Sequence, residues 1–140
     1  MTRPKARDAP TSSRLAAQKQ ANTRTELSIG ATLRGLRARY RKNVRKLPGS
    51  PDFANASRQW AVFVNGCFWH HHTNCKRATT PRNNRDFWLS KFAANRERDA
   101  RAVRALRRLG FRVLIVWECQ EHNAKDRLRK ILESGRVKSG

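Results

Sequence analysis

The stretch Gly66-Cys67-Phe68-Trp69-His70-His71-His72-Thr73-Asn74-Cys75 constrains this chain more than any other, because it holds three of the four histidines and two of the three cysteines in the sequence. A closed tetrahedral zinc site takes four soft or borderline ligands, and a Cys3His set is common in such sites. Cys67, Cys75 and the distant Cys119, with one of the histidines, make up that set. His72 and Cys75, with two residues between them, have the spacing of a tight ligand pair. Cys119 follows the apolar run Phe111 to Trp117, so a metal bound here would tie a loop to the end of a strand. The competing reading is three buried thiols beside a solvent-exposed histidine run, but a tag-like run would sit at a terminus and would not enclose Phe68-Trp69. An odd number of cysteines and the lack of a hydrophobic export core between Met1 and Arg24 argue against a disulfide framework. Of the remaining histidines, His70 lies beside a predicted strand end, where an imidazole could move protons near neutral pH. His71 is expected to point outward; the plainer alternative makes all three histidines interchangeable ligands or solvent-exposed.

Such a site belongs to a small fold. A length of 140 residues suits one domain. Lys and Arg number 32 against 10 Asp and Glu, and a formal charge of +22 would repel itself unless a polyanion shared the surface. Nucleic acid is the expected partner. A membrane-surface protein could show the same imbalance, but it would need an apolar anchor, and no run approaches the roughly 18 apolar residues of a spanning segment. The expected location is the cytoplasm, in association with the nucleoid when DNA is bound.

Along the chain, residues 1–25 carry six basic side chains and one acid among Pro, Ser, Thr and Gln, and read as a disordered DNA-contacting arm. Residues 26–135 form the expected domain, with 136–140 as a tail. Ile29, Leu33, Leu36 and Tyr40 recur at helical spacing with Thr25 as N-cap. Pro48-Gly49-Ser50-Pro51 is a turn, after which Asp52-Phe53 begins an extended stretch; Trp60 to Val64 predicts a buried strand. Cys67 to Pro81 is the metal-bearing loop. Phe87 to Leu109 predicts the longest helix, with Trp88, Phe92, Val103, Leu106 and Leu109 on one stripe and Gly110 as its C-terminal stop. Phe111 to Trp117 predicts a buried strand, and Ala124 to about Ser134 a last helix burying Leu128, Ile131 and Leu132. The order describes an α/β fold with a central mixed sheet flanked by helices.

The few acids are informative in so basic a chain. Asp52 follows a turn at a strand start, and between Glu26 and Asp86 it is the sole acid, which suits a ligand for a hard cation such as Mg2+. Glu26 falls on the apolar stripe of its helix, a poor place for an unpaired charge and a good one for a ligand or a group supporting one. Asn95 and Asp99 interrupt the stripe Trp88, Phe92, Val103, Leu106, so one or both should reach an inward partner such as His70; a salt bridge to an arginine is the alternative for Asp99.

Pro48-Gly49-Ser50-Pro51-Asp52-Phe53, Phe63-Val64-Asn65-Gly66-Cys67-Phe68-Trp69-His70-His71-His72, Phe87-Trp88-Leu89-Ser90-Lys91 with Asn95 to Asp99, and Val116-Trp117-Glu118-Cys119 together resemble the successive motifs of the very short patch repair (Vsr) endonucleases, over about Thr25 to Glu121. The resemblance implies a restriction-endonuclease-like core that nicks one strand of double-stranded DNA next to a T:G mismatch arising from deaminated 5-methylcytosine. It implies catalytic Mg2+ held by Asp52 and the backbone carbonyl of Val64, with His70, oriented by Asp99, acting on the hydrolytic water or leaving group and Glu26 assisting. It assigns structural Zn2+ to Cys67, His72, Cys75 and Cys119. Phe68, Trp69 and Trp88 match the family's aromatic wedge, which enters the base stack where pairing is already faulty. Leu15 falls where a wedge residue of the arm would probe the opposite groove. The implied protein is a monomer, with other mismatch-repair proteins as further partners.

One departure is Asn65, which stands where some family members carry a histidine. Two readings compete with mismatch repair. A Vsr-like nuclease of a restriction or phage-defence system would share the whole constellation, and a non-catalytic zinc-stabilised DNA-binding module would need Asp52 and His70 only incidentally.

Overall fold

The computed structural model of the chain describes residues 24–138. Helix α1 covers 24–35 and is followed by strand β1 (Arg41–Lys42), β2 (Phe53–Asn55) and β3 (Trp60–Asn65). A long turn-rich loop leads to α2 (Arg85–Arg108), then β4 (Arg112–Trp117), a 3-10 turn (Glu118–Asn123) and α3 (Ala124–Lys138). The strands stand in the order β1-β2-β3-β4, with β1 to β3 antiparallel and β3 parallel to β4. A parallel pair requires a long crossover, and the loop over residues 66–84 plus α2 provides it. The result is an α/β fold with a mixed sheet.

Alternation along β3 divides the core. Trp60, Val62 and Val64 join Ile29 and Leu33 of α1, Phe53, Leu114, Val116 and Leu128 of α3 in one buried cluster. Ala61 joins Ala54, Leu106 of α2 and Phe111 in another, with Phe63 packed against it. The period of two thus faces α1 and α3 on one side and α2 on the other. β3 and β4 pair over their full length, from Trp60 opposite Arg112 to Asn65 opposite Trp117, so the motifs that follow each strand emerge at one end of the sheet.

Helix α2 stops as expected at Gly110, whose φ of +92° closes a pair of terminal bonds, Gly110 N–H to Arg107 O and Phe111 N–H to Leu106 O, both 3.0 Å. The first helix departs from its expected course. It already contains Arg24 and Thr25, so Thr25 is a buried helical residue rather than the N-cap. It also ends before Tyr40, because Arg37 adopts φ +60° and the bonds Arg37 N–H to Arg34 O and Ala38 N–H to Leu33 O close the turn. Tyr40 instead meets Phe53 edge-on at 5.1 Å. Strand β1, two residues with no apolar pattern, escapes sequence reading because pairing with β2 alone defines it. Leu109 leaves the expected stripe: it is 54% exposed, past the last helical turn. Residues 1–23 of the expected arm, Leu15 included, lie outside the described residues, while Arg24 and Thr25 belong to α1. Among the described helices, none is long and apolar enough to cross a membrane.

Candidate active site and metal centre

The turn before β2 aims Asp52 across the sheet. Pairing of Phe53 with Val62 sets the register, and the Asp52 side chain reaches past it to accept the Val64 N–H at 2.6 Å through Oδ2. Burial pushes the Asp52 carboxyl up from its ordinary value; the Val64 bond and nearby His70 pull the other way. Glu26 on α1 is raised as well, by burial and then by the charge of Asp52, with Lys42 opposing. Glu26 on α1 and Asp52 before β2, near enough for the charge of Asp52 to raise Glu26 in a protein of charge +22, frame a pocket suited to a cation.

His70 stands on the other side of this pocket. Its Nδ1 donates to Asp99 Oδ2 at 2.5 Å, leaving Nε2 unprotonated in that tautomer. One turn earlier on α2, Asn95 donates through Nδ2 to the Trp69 carbonyl at 3.0 Å. Both polar interruptions of the α2 stripe therefore turn inward, and they hold the peptide and the side chain of His70 together. Arg98 donates to Asn95 Oδ1 at 3.1 Å. A cavity of about 220 Å³ lies between α2 and the sheet, lined by His70, Asp99, Arg98, Asn65 and Gly49 among others. Asn65 is buried there, 5% exposed.

The ligand atoms of Cys67, His72, Cys75 and Cys119 all lie within 4.8 Å of one another. His72 Nδ1 is 3.7 Å from Cys67 Sγ and 3.4 Å from Cys119 Sγ. Sulfur and nitrogen at ordinary zinc distances from one tetrahedral centre stand about 3.5 Å apart, so this donor set suits a divalent cation of that size. The thiol of Cys67 is pushed up to about 12, chiefly by burial, and a cation at the centre would reverse that. Burial lowers the His72 pKa, favouring the neutral ring a metal needs. The His72 ring stacks on Trp117 with centroids 4.0 Å apart, which fixes its plane. Glu118 adds a brace that its place in the sequence motif did not reveal: its Oε1 accepts the Cys67 N–H at 3.1 Å and its Oε2 lies 4.0 Å from Arg77.

One expectation changes. His71 does not point outward; it is half-buried, stacked on Phe92 at 4.5 Å and within 3.4 Å of Thr80, and burial and Arg96 lower its pKa. The three wedge aromatics do not stand exposed: Phe68 and Trp88 are 3% and 5% exposed and pack with Phe92, while Trp69 is half-buried against Phe68. Apolar contact among the rings outweighs exposure in the free chain. The Trp69 indole Nε1 is nevertheless buried without a partner among the described residues.

Comparison with known proteins adds to this geometry. A family model described as DNA mismatch endonuclease Vsr matches residues 5–77. The chain is 40% identical over 115 residues to the type II nicking enzyme V.XorIIP of Xanthomonas oryzae pv. oryzae, covering 80% of this chain and 84% of the relative. It is 42% identical over 98 residues to DNA mismatch endonuclease Vsr of Escherichia coli, covering 70% of this chain and 62% of that one. Similarity to the type II nicking enzyme V.NaeI of Lentzea aerocolonigenes is 34% identity over 125 residues, 86% of this chain and 74% of the relative.

Proposed function

The chain belongs to the Vsr family of DNA mismatch endonucleases, and from that premise we propose that this DNA endonuclease nicks one strand of duplex DNA beside a T:G mismatch. The observation that carries the reading is the convergence of Glu26 and Asp52 with a His70 held by Asp99 at the end of β3. The core is read as restriction-endonuclease-like. Asp52 and the Val64 carbonyl are the proposed ligands of Mg2+, and the fit is supported by the burial of the Asp52 carboxyl and by its charge raising the neighbouring Glu26. Bound there, Mg2+ supplies charge stabilisation at the scissile phosphoryl oxygens and a water of lowered pKa.

The chain's own groups do the rest. Asp99 fixes the tautomer of His70, so that the unprotonated Nε2 takes the proton of the hydrolytic water or, once protonated, donates to the leaving oxygen. Glu26 assists from α1. Cys67, His72, Cys75 and Cys119 are the proposed ligands of structural Zn2+. Phe68, Trp69 and Trp88 are the proposed wedge, and since Phe68 and Trp88 are packed in the free chain, insertion exchanges ring–ring contact for base stacking. Leu15 is the proposed wedge residue of the arm. We place the protein in the cytoplasm as a monomer on bacterial DNA, with mismatch-repair proteins as further partners.

Nicking of matched, T:G and other mismatched duplexes with Mg2+ tests the reading. T:G substrates should be cut fastest and Asp52→Ala should abolish the reaction. Equal cutting of matched and T:G duplexes would overturn the mismatch reading in favour of a restriction or defence nuclease, a second reading supported by the similarity to several type II nicking enzymes. Retained DNA binding without any Mg2+-dependent cutting would favour a zinc-stabilised binding module.

A further inference from the structure

The end of the sheet opposite Asp52 holds a second concave site. A cavity of about 330 Å³ opens between the end of α1, the β2–β3 turn and α3, and Arg37, Arg39, Arg58 and Arg129 line it with one acid, Glu133. Among the described residues, Arg37, Arg39 and Arg58 form no ion pair within 4.0 Å, and Arg129 pairs only with Asp126, at 3.5 Å. The walls are fixed. One side chain, Asn55, donates to the Arg39 carbonyl at 3.0 Å and accepts the Arg58 N–H at 3.0 Å, so it ties together the two loops that carry these arginines.

Arg37 supplies an independent sign. Helices α1 and α2 end in the same way: a residue of positive φ follows the last turn, and paired bonds return to the helix. At the end of α2 that residue is Gly110, which adopts the conformation freely; at the end of α1 it is Arg37, with φ +60°. A bulky L-residue is disfavoured there, and nothing in the packing of α1 requires a guanidinium, since Arg37 is exposed. A strained arginine beside two unpaired ones, around a preformed hollow, points to an anion.

We propose that this cavity is a phosphate-binding site, remote from the scissile bond, that grips the backbone of the duplex flanking the cut. The Arg side chains match phosphate oxygens through their forked donors. Trp60 at the cavity and Val64 at the active site are four residues apart on β3, about 13 Å at strand rise, which corresponds to roughly four base pairs along a duplex. The duplex as source rests on the endonuclease reading; the anion site itself does not, and inorganic pyrophosphate probes it separately.

The test uses Arg37→Gly, alone and with Arg39→Gln and Arg58→Gln, in the full zinc-loaded chain. Arg37→Gly relieves the positive φ, so its melting temperature should equal or exceed that of the parent, which separates lost binding from lost folding. The parent should bind duplexes more tightly as they extend from a few to about ten base pairs past the cut, and the triple variant should lose that gain. Its plot of log affinity against log salt should be shallower by roughly two to three, about 0.9 for each phosphate contact removed. An Arg58→Lys variant should keep most of the slope. Pyrophosphate binding to the parent but not the triple variant, with an unchanged DNA slope, would support the site and assign it to a free phosphate compound. Parental DNA slopes and no pyrophosphate binding to either protein would overturn the proposal. A parent that binds this site but fails to nick T:G duplexes would count against the mismatch reading alone.

Discussion

Without a cation, an ionised Asp52 is costly: burial raises its pKa, and Glu26, raised by burial and by Asp52, shares the pocket. A carboxyl whose folded pKa lies above its unfolded value favours the fold most below the unfolded pKa, and that contribution is lost as pH rises through the folded pKa. Measured against Asp52→Asn in the same zinc-replete, Mg2+-free buffer, which cancels the pH dependence of zinc binding, the parent should therefore lose stability as pH rises from the ordinary carboxylate range, near 3.8 for Asp52, through its raised value. Asp52→Asn keeps an acceptor for the Val64 N–H and removes the charge. Its melting temperature should match or exceed the parent's above that range, while its nicking rate falls by at least about 10²-fold, the scale of one positioned electrostatic group. A clear loss of melting temperature would contradict the burial argument. His70→Ala should leave DNA affinity within about twofold while cutting is lost; equal loss of both in a binding and cleavage series would make His70 structural. Asp52, His70 and Asp99 were legible as candidates because each is a polar group where apolar or turn chemistry would suffice. Glu118 was not, since an acid after a strand has no pattern that reveals a bond to Cys67 N–H.

At the scale of elements, α2 carries most of the arrangement. Leu106 docks it to the sheet, Trp88 and Phe92 pack against Phe68 of the loop, and Asn95 and Asp99 secure His70. Contact of α2 with the turn before Asp52 is close: a Cβ on Gly49, at φ +76°, would sit 2.5 Å from the Ala102 Cβ and 3.2 Å from Phe63. Gly49→Ala should therefore destabilise the fold by about 1–3 kcal/mol, the usual range for overpacking, and shift the Asp52 turn, lowering nicking with it. Denaturant unfolding checks the first effect; an unchanged midpoint would mean that the turn yields freely. The helical stripe of α2 could be read from periodicity because 24 residues sample many turns. The end of α1 could not, because a left-handed Arg37 breaks the pattern that carries on to Tyr40.

For the molecule as a whole, the four candidate metal ligands link what the chain separates. Cys67, His72 and Cys75 follow β3 and Cys119 follows β4, so a bound ion clips the ends of two parallel neighbouring strands. Metal binding then contributes folding free energy. Cys119→Ser should lose zinc and melting temperature together, by on the order of several kcal/mol, and a chelator should have the same effect on the parent. Full zinc stoichiometry in Cys119→Ser would refute the ligand set.

Residue chemistry and its spacing were enough to indicate the α/β order and the clustering of the Cys3His donors, and to single out Asp52 as a candidate, because periodicity and ligand crowding are local properties. Only the tertiary structure decided that Phe68 and Trp88 pack together, that His71 turns inward onto Phe92, and that four arginines meet across a cavity far from Asp52. Each of those depends on which elements face one another, and that is set by strand register and packing between residues remote in the chain.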